Sequence, residues 1–284
     1  MKKALLTLVV GDKYSRNFER YCERLWTDYA RRNGFDVIII DGLLDTSQRA
    51  VSRSPAWQKC LVLSHPKVCD YDQVVWIDAD VLINPNSPDI VRGVPTKMIG
   101  AVDEYATPNQ EERRLYFERL YEHHSRRGAQ YLNDLSASDY HGNFGLKGEF
   151  HSVVQTGVMV LSPKHHRELL EHVYYTYEDK GSARWHYEMR PLSYEIQRND
   201  YVFWIDPKFN MIWPFVKQLH YPFLFFRKEP LLKKRLRKLG LNLEKSLHTK
   251  CATAAFLNNY FLHFAGCADE MRFVNPSITS VLDM

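Results

Sequence analysis

The sequence lacks the cysteine patterns of disulfide-rich and zinc-binding proteins. Its 284 residues include five cysteines, which form no Cys-x-x-Cys pair and no other metal-ligand spacing. An odd, scattered set of cysteines indicates reduced thiols rather than a disulfide framework. We therefore expect a cytoplasmic protein with free thiols at Cys22, Cys60, Cys69, Cys251 and Cys267.

Long apolar runs are missing too. No run approaches the roughly 18 apolar residues that a membrane-spanning helix needs. The opening, MKKALLTLVVGDKY, resembles a signal peptide only superficially, because its apolar run has seven residues and no small-residue cleavage site follows. That run predicts a first β-strand instead. We expect a soluble protein, or one that contacts at most the surface of a membrane.

A strong charge of one sign is also absent. Lys and Arg number 38 against 34 Asp and Glu, a formal charge of +4, and the sequence has no nucleic-acid-binding signature. We expect no nucleic-acid partner, although an anionic ligand fits. The basic residues concentrate in residues 227–250, where nine Lys or Arg face two Glu. This segment fits a solvated amphipathic helix, or a contact with an acidic acceptor or the anionic inner face of a membrane.

Strand and helix patterns alternate along the first half of the chain. Buried strands are predicted at residues 4–10, 37–40, 73–77, 98–102 and 152–161. Helices are predicted from Ser15 to a cap at Gly34, and over residues 56–64, 110–127 and 163–179. Residues 128–150 predict a long loop. The order indicates an α/β domain with a mainly parallel, Rossmann-like sheet and flanking helices.

An apolar strand that ends in two aspartates is the strongest motif. In VVWIDADVLINP, residues 74–85, Asp78 and Asp80 occupy positions i and i+2. Alternate residues of an extended chain point the same way, so both carboxylates could reach one ion beyond the strand end. Carboxylates are ligands for Mg²⁺ or Mn²⁺, which share their coordination shell with substrate phosphates. The motif therefore predicts a metal site, although a lone Asp-x-Asp also arises by chance.

Two other enzyme classes use this motif but fit less well. A haloacid-dehalogenase-type phosphatase would place it on the first strand, with Thr or Val where this chain has Leu82. A sugar nucleotidyltransferase would need a Gly-rich phosphate loop after the first strand, whereas GDKYSRN contains one glycine.

Six blocks in a fixed order resemble a known family. They are TLVVGDKY (7–14), AWQKCLVL (56–63), WIDADVLI (76–83), QTGVMVLS (155–162), EMRPLSYEI (188–196) and HFAGC (263–267). Together they resemble GT-A-fold glycosyltransferases of the nucleotide-diphospho-sugar transferase superfamily, of the glycogenin-like and galactomannan galactosyltransferase-like kind. The resemblance spans most of the chain apart from residues 103–150 and the basic segment.

The resemblance implies a binding site for a nucleotide sugar. It assigns the nucleoside to the first strand and its loop, and the metal to Asp78 and Asp80 with His263 as third ligand. A histidine in an apolar stretch is more often a satisfied core residue, but behind an Asp-x-Asp motif it suits Mn²⁺. The other donor-binding candidates are Thr7, Val9, Asp12, Tyr14 (which could stack on uracil), Lys59, Ala79 and Gln155.

Carboxylates are the candidates for catalysis. Glu188 opens the block whose first acidic residue contacts the sugar or the reacting centre in the families this chain resembles, and it could instead be a helix N-terminal carboxylate. Asp103 ends the strand 98–102 and could bind donor hydroxyls. Glu195, two helical turns after Glu188, is the next candidate.

Three departures from the family pattern leave the sugar and the subfamily open. No Lys follows HFAGC, so either Arg272 or Lys59 together with the metal would have to neutralise the leaving diphosphate. Gln155 stands where the family usually has Asn, and Glu188-Met189 replaces an Asp-Gln pair.

We therefore expect one GT-A-like domain over residues 1–284, with a nucleotide-binding half at 1–102 and an acceptor-binding, metal-completing half at 103–284. The expected reaction transfers a hexose or pentose from a UDP-sugar to a hydroxyl of a glycan, lipid-linked or protein acceptor, with Mn²⁺ or Mg²⁺ and retention of configuration. The alternatives are a non-catalytic sugar-nucleotide or glycan binding protein and a metal-dependent phosphohydrolase.

Overall fold

The computed structural model describes residues 1–125, 136–181, 186–225 and 243–280. The strands in those ranges are β1 (Lys3–Leu8), β2 (Asp36–Ile40), β3 (Gln73–Ile77), β4 (Val81–Ile83), β5 (Ile99–Asp103), β6 (Val154–Leu161), β7 (Val202–Trp204), β8 (Met211–Ile212) and β9 (Phe261–His263). The α-helices are α1 (Asp12–Asn17), α2 (Glu23–Asn33), α3 (Gln48–Val51), α4 (Gln110–Ser125), α5 (Ala137–Gly142), α6 (Pro163–Thr176), α7 (Met189–Arg198), α8 (Trp213–His220) and α9 (Leu243–Asn258).

The main sheet has the order β2-β1-β3-β6-β5-β7. Strand β1 pairs in parallel with β2 and β3, whereas β6 runs antiparallel to both of its neighbours, and β5 pairs in parallel with β7. The predicted mainly parallel α/β sheet is therefore confirmed, with β6 as its reversed strand. Strands from both of the expected halves share this one sheet.

Both faces of the main sheet are buried. Along β1, Leu5 joins one hydrophobic cluster while Ala4 and Leu6 join another. Successive side chains of a strand point to opposite faces, so the two clusters lie on the two sides of the sheet. Burial on both faces explains why these strands are continuous apolar runs in the sequence.

A second, three-stranded sheet has the order β4-β9-β8. Strand β4 runs antiparallel to β9 with Val81 opposite His263, and β8 pairs in parallel with β9. This sheet pairs β4, which directly follows the Asp-x-Asp motif, with β9. The paired residues Val81 and His263 are 182 positions apart in the sequence (263 − 81). The pairing brings the distant His263 to the motif.

Several sequence predictions need correction in detail. The helix predicted from Ser15 consists of α1, a π-helical turn (Phe18–Cys22) and α2, and Gly34 caps it as predicted with φ 71°. The helix predicted at residues 56–64 is a 3₁₀ helix (Pro55–Ser64) that Ser54 caps by accepting a hydrogen bond from the Ala56 amide. Proline at its first position suits a helix start because that residue needs no N–H donor.

The predicted loop at 128–150 contains helix α5, with Ala137 and Tyr140 buried, so the prediction of a continuous loop is wrong there. Residues 126–135 lie outside the described residues, as do residues 227–242 of the basic segment, and α9 begins at Leu243. Where the chain is described, no helix is both long and apolar enough to cross a bilayer.

Candidate active site

A cavity of about 500 Å³ opens beyond the carboxyl ends of β1 and β3. Its wall combines the end of β1, the 3₁₀ helix (Pro55–Ser64), the β3–β4 turn, β6, the residues just before α7, and the end of β9. Crevices in this position bind ligands in open α/β proteins, and the volume lies within the usual range for small-molecule sites. The cavity is therefore the candidate active site.

Three potential metal ligands meet at this cavity. One ligand atom from each of Asp78, Asp80 and His263 lies within 4.8 Å of the others. His263 Nε2 is 3.2 Å from Asp80 Oδ1 and 3.9 Å from Asp78 Oδ2. Two carboxylates and one imidazole form a donor set that suits a borderline divalent cation such as Mn²⁺, so these residues fit the implied metal.

The two aspartates reach this position differently from the prediction. Asp78 follows β3, and its amide donates to the Gly157 carbonyl oxygen at 2.8 Å, but Ala79 and Asp80 form a turn before β4. The expectation of two residues on one extended strand was therefore wrong. The chain turns because it leaves the main sheet for the second one, where the Asp80 carbonyl oxygen accepts a hydrogen bond from the Phe264 amide. The turn directs both carboxylates to the end of β9.

His263 is buried between carboxylates and an amide. Its Nε2 faces the aspartates, and its Nδ1 lies 2.9 Å from Oδ1 of the fully buried Asn210. Burial alone would lower the pKa of His263, but the charge and hydrogen bond of Asp80 together with the charge of Asp78 outweigh burial and raise it. Likewise burial would raise the pKa of Asp80, but His263 holds it below its ordinary value. A metal binds neutral imidazole, so protonation of His263 would compete with cation binding here.

Lys59 joins the metal cluster to Glu188. Its Nζ lies 3.0 Å from Asp78 Oδ1 and 2.7 Å from Glu188 Oε1, and it donates to the Thr156 carbonyl oxygen at 3.3 Å. Burial opposes the ammonium charge, but Asp78 and Glu188 outweigh burial and raise the pKa of Lys59. The predicted basic residue is therefore a buried cation in the cavity wall.

Glu188 lies on the opposite side of Lys59 from Asp78. It is 3% exposed, accepts a hydrogen bond from Thr156 Oγ1 at 3.1 Å, and precedes α7. Burial raises the pKa of Glu188, while Lys59 acts in the other direction. The two residues before it, His186 and Tyr187, both have positive φ values of 48° and 57°. Left-handed backbone at non-glycine residues is costly and concentrates at functional sites.

Some of the predicted donor-binding residues line the cavity. Tyr14, which is 52% exposed, lies there together with Lys59, Ala79 and Gln155. Thr7 and Val9 instead have buried side chains, and their neighbours Leu8 and Val10 line the cavity. Strand sequence alone does not say which face meets a ligand, and contact of Thr7 and Val9 with a nucleoside stays a prediction. Asp12 begins α1 outside the lining.

The other two candidate carboxylates are engaged elsewhere. Asp103 Oδ1 accepts from the Tyr105 amide at 2.8 Å and Oδ2 from Ser152 Oγ at 2.7 Å, and the side chain does not line the cavity. Glu195 accepts hydrogen bonds from Tyr177 Oη and Asn199 Nδ2 and also lies outside the lining. Of the three carboxylates, the structure brings only Glu188 into the cavity wall.

Several residues of the site escaped the sequence analysis. Asn210 and Thr156 hold His263 and Glu188 by hydrogen bonds, and His186 lines the cavity. Thr156 and Gly157 lie inside a recognised block, whereas Asn210 is far from every block and carries no sequence signal. Arg272, the proposed substitute for a missing lysine, is exposed and does not line the cavity.

Comparisons with known proteins are informative only at the level of structure. No protein-family model and no curated protein sequence matches this chain. A glycosyltransferase involved in glycosylation of the major capsid of PBCV-1 aligns over 96% of this chain and 100% of its own, at 15% identity and a TM-score of 0.51. The bifunctional glycosyltransferase WbbM aligns over 95% of this chain at 12% identity and a TM-score of 0.50.

The chain spans about half of WbbM, 49% of that chain. The galactosyltransferase LgtC, solved with donor and acceptor sugar analogues, aligns over 98% of this chain at 13% identity and a TM-score of 0.47. At such identities the likeness shows the fold alone. The protein has the GT-A-like α/β fold shared with the first two glycosyltransferases, and this confirms the predicted fold class. The glycogenin-like relationship stays a prediction.

Proposed function

We propose that the protein is a metal-dependent glycosyltransferase that transfers a sugar from a nucleotide sugar, specifically a UDP-sugar, to a hydroxyl group of an acceptor. The observation that carries the proposal is the convergence of Asp78, Asp80 and His263 at one end of a cavity large enough for a nucleotide sugar. Glycosyltransferases of the same fold provide independent support.

The three ligands would hold Mn²⁺ or Mg²⁺ against the donor diphosphate. When bound, such a cation supplies Lewis-acid stabilisation of the negative charge that develops on the departing nucleotide. Lys59, held as a cation by Asp78 and Glu188, adds a second positive charge in a water-poor wall. Tyr14, exposed in the same cavity, offers its ring to the uracil base.

Glu188 is the residue we assign to the reacting centre. It is the one predicted catalytic carboxylate in the cavity wall, and Lys59 and Thr156 fix its position. A fixed carboxylate there would stabilise positive charge on the sugar in a retaining transfer, which the family resemblance favours. In an inverting transfer it would accept the proton of the acceptor hydroxyl.

A nucleotide-sugar panel tests the proposal. Purified protein is incubated with UDP-sugars in Mn²⁺ or in excess chelator, and released UDP and inorganic phosphate are measured separately. We expect Mn²⁺-dependent UDP release from at least one UDP-sugar. Binding of UDP-sugars without turnover would favour a non-catalytic binding protein, and phosphate release from simple monoesters would favour a phosphohydrolase.

A further inference from the structure

A chain of hydrogen-bonded amides leads from the backbone to the metal-facing histidine. The Gly157 amide donates to Gln155 Oε1 at 2.6 Å, Asn210 Nδ2 donates to the same oxygen at 2.9 Å, and Asn210 Oδ1 lies 2.9 Å from His263 Nδ1. We call these links the amide relay. We infer that the amide relay fixes His263 with its proton on Nδ1 and its Nε2 lone pair toward the metal, which makes Asn210 a positioning residue.

The direction of every bond in the amide relay follows from its first member. A backbone N–H can only donate, so the Gln155 atom that faces Gly157 must be the oxygen. The same oxygen faces Asn210, which must therefore present its NH₂ group there and its own oxygen to His263. Flipping Gln155 would set its NH₂ group against the Gly157 N–H, and flipping Asn210 would set two amide oxygens against each other. Neutral His263 consequently carries its proton on Nδ1.

Burial of the amide relay strengthens this assignment of hydrogen-bond directions. Asn210 is fully buried, and Gln155 and His263 are 8% and 4% exposed, so water cannot replace a broken link from the bulk. A Cβ atom at Gly157 would lie 2.4 Å from His263 Cε1, so the ring packs directly against the glycine. The glycine contact fixes the orientation of the imidazole ring, and the amide relay fixes which ring nitrogen carries the proton. Partners behind a histidine ligand commonly change metal affinity by 10- to 100-fold.

The inference rests on the proposed metal site, and a binding titration on the full-length protein tests it. Free Mn²⁺ is followed by electron paramagnetic resonance for wild type, Asn210→Leu, Asn210→Asp and Gln155→Leu. We expect Asn210→Leu to weaken Mn²⁺ binding about 10- to 100-fold. Asn210→Asp loses the donor to Gln155 but keeps an acceptor for the Nδ1 proton, so it should bind Mn²⁺ more tightly than Asn210→Leu.

The matched control is Gln73→Leu, which removes a buried amide, bonded to the Val94 carbonyl oxygen, at the opposite end of β3. It should bind Mn²⁺ like wild type even if it is less stable. Wild-type Mn²⁺ affinity in folded Asn210→Leu would overturn the inference. If Asn210→Leu does not fold, Gln155→Leu decides, because it breaks the amide relay one link earlier and should also weaken binding.

A second readout separates the amide relay from the proposed function. Ring ¹⁵N spectra of histidine-labelled, metal-free protein, recorded above the pKa of His263, report which nitrogen holds the proton. His263→Gln identifies its signals among the 12 histidines. An Nδ1–H tautomer in wild type that is lost in Asn210→Leu supports the amide relay even if wild type binds no Mn²⁺, a result that would reject the proposed metal site alone. An Nε2–H tautomer in wild type would reject the amide relay.

Discussion

The two sides of the cavity are built by different means. The strand wall, with Asp78, Asp80 and His263, is fixed by backbone pairing, because Val81 lies opposite His263 in the second sheet. The helix wall consists of Glu188 and the two residues before it, His186 and Tyr187, which have left-handed backbone conformation. Its position depends on side-chain contacts to Lys59, Thr156 and Tyr140. Sheet register organises the candidate metal ligands, whereas tertiary contacts organise the candidate reacting carboxylate.

Removing a carboxylate from the strand wall should have the largest effect. Asp80→Ala should lower Mn²⁺-dependent turnover by about 10³-fold, since a bound cation contributes several kcal/mol to charge stabilisation. The fold should persist because β4 and β9 pair through backbone bonds. Turnover in Mn²⁺ and circular dichroism measure the two effects. Full turnover in Asp80→Ala would mean that the strand wall does not hold the metal.

A substitution of Glu188 in the helix wall should lower the rate of sugar transfer much more than it lowers the affinity for UDP. Glu188→Gln should lower sugar transfer by about 10²-fold while UDP affinity in Mn²⁺ stays within a few-fold, because a positioned acid–base or charge-stabilising group acts on the reacting centre. Turnover and isothermal titration with UDP separate these quantities. Glu195→Gln, in the helix that follows Glu188, is the matched control and should transfer sugar at a near-normal rate. The opposite ranking of the two variants would move the catalytic assignment to Glu195.

A methyl group at Gly157, which packs against His263 of the strand wall, would test how tightly that wall is held. Gly157→Ala places a Cβ 2.4 Å from His263 Cε1, so the imidazole must move and Mn²⁺ affinity should fall about 10-fold or more. Gly142→Ala is the control, because a Cβ there meets nothing within 4 Å and alanine favours the helix in which it lies. Equal Mn²⁺ affinities for the two variants would show that His263 is not held against β6.

The sequence predicted the strand wall better than the helix wall for a physical reason. Asp78, Asp80 and His263 lie in or next to apolar strand-like blocks that can be recognised from one sequence. The link between Lys59 and Glu188 depends on how a 3₁₀ helix and a loop meet, which periodicity does not encode. Asn210 is further out of reach, because it approaches His263 only through the pairing of β8 with β9.

The sequence also could not show which alternate residues of β1 face the cavity. The first block does contribute to the cavity wall, but the residues that line it are Leu8 and Val10 rather than the predicted Thr7 and Val9. A continuous apolar strand buried on both faces gives no alternation from which to choose. The same uncertainty did not affect Tyr14, because it follows the strand at the edge of the cavity.

The smallest expected effect concerns Tyr14 at the cavity edge. Tyr14→Ala should weaken binding of UDP in Mn²⁺ about tenfold, the scale of losing one aromatic stacking partner for a base. Tyr14→Phe should bind like wild type because it keeps the ring. The side chain is 52% exposed, so stability should change by less than about 0.5 kcal/mol. Unchanged UDP affinity in Tyr14→Ala would place the base elsewhere in the cavity.

The most direct test of the account is whether the nucleotide needs the metal in order to bind. Thermal unfolding of the wild-type protein is measured with UDP alone, Mn²⁺ alone, both together, and both with excess chelator. A ligand that binds the folded state at about 100 times its Kd stabilises it by about 2.7 kcal/mol. We predict a large rise in Tm with UDP and Mn²⁺ together, little with UDP alone, and reversal by chelator. An equal rise with UDP in chelator would contradict the assignment of Asp78, Asp80 and His263 as ligands of a cation that holds the diphosphate.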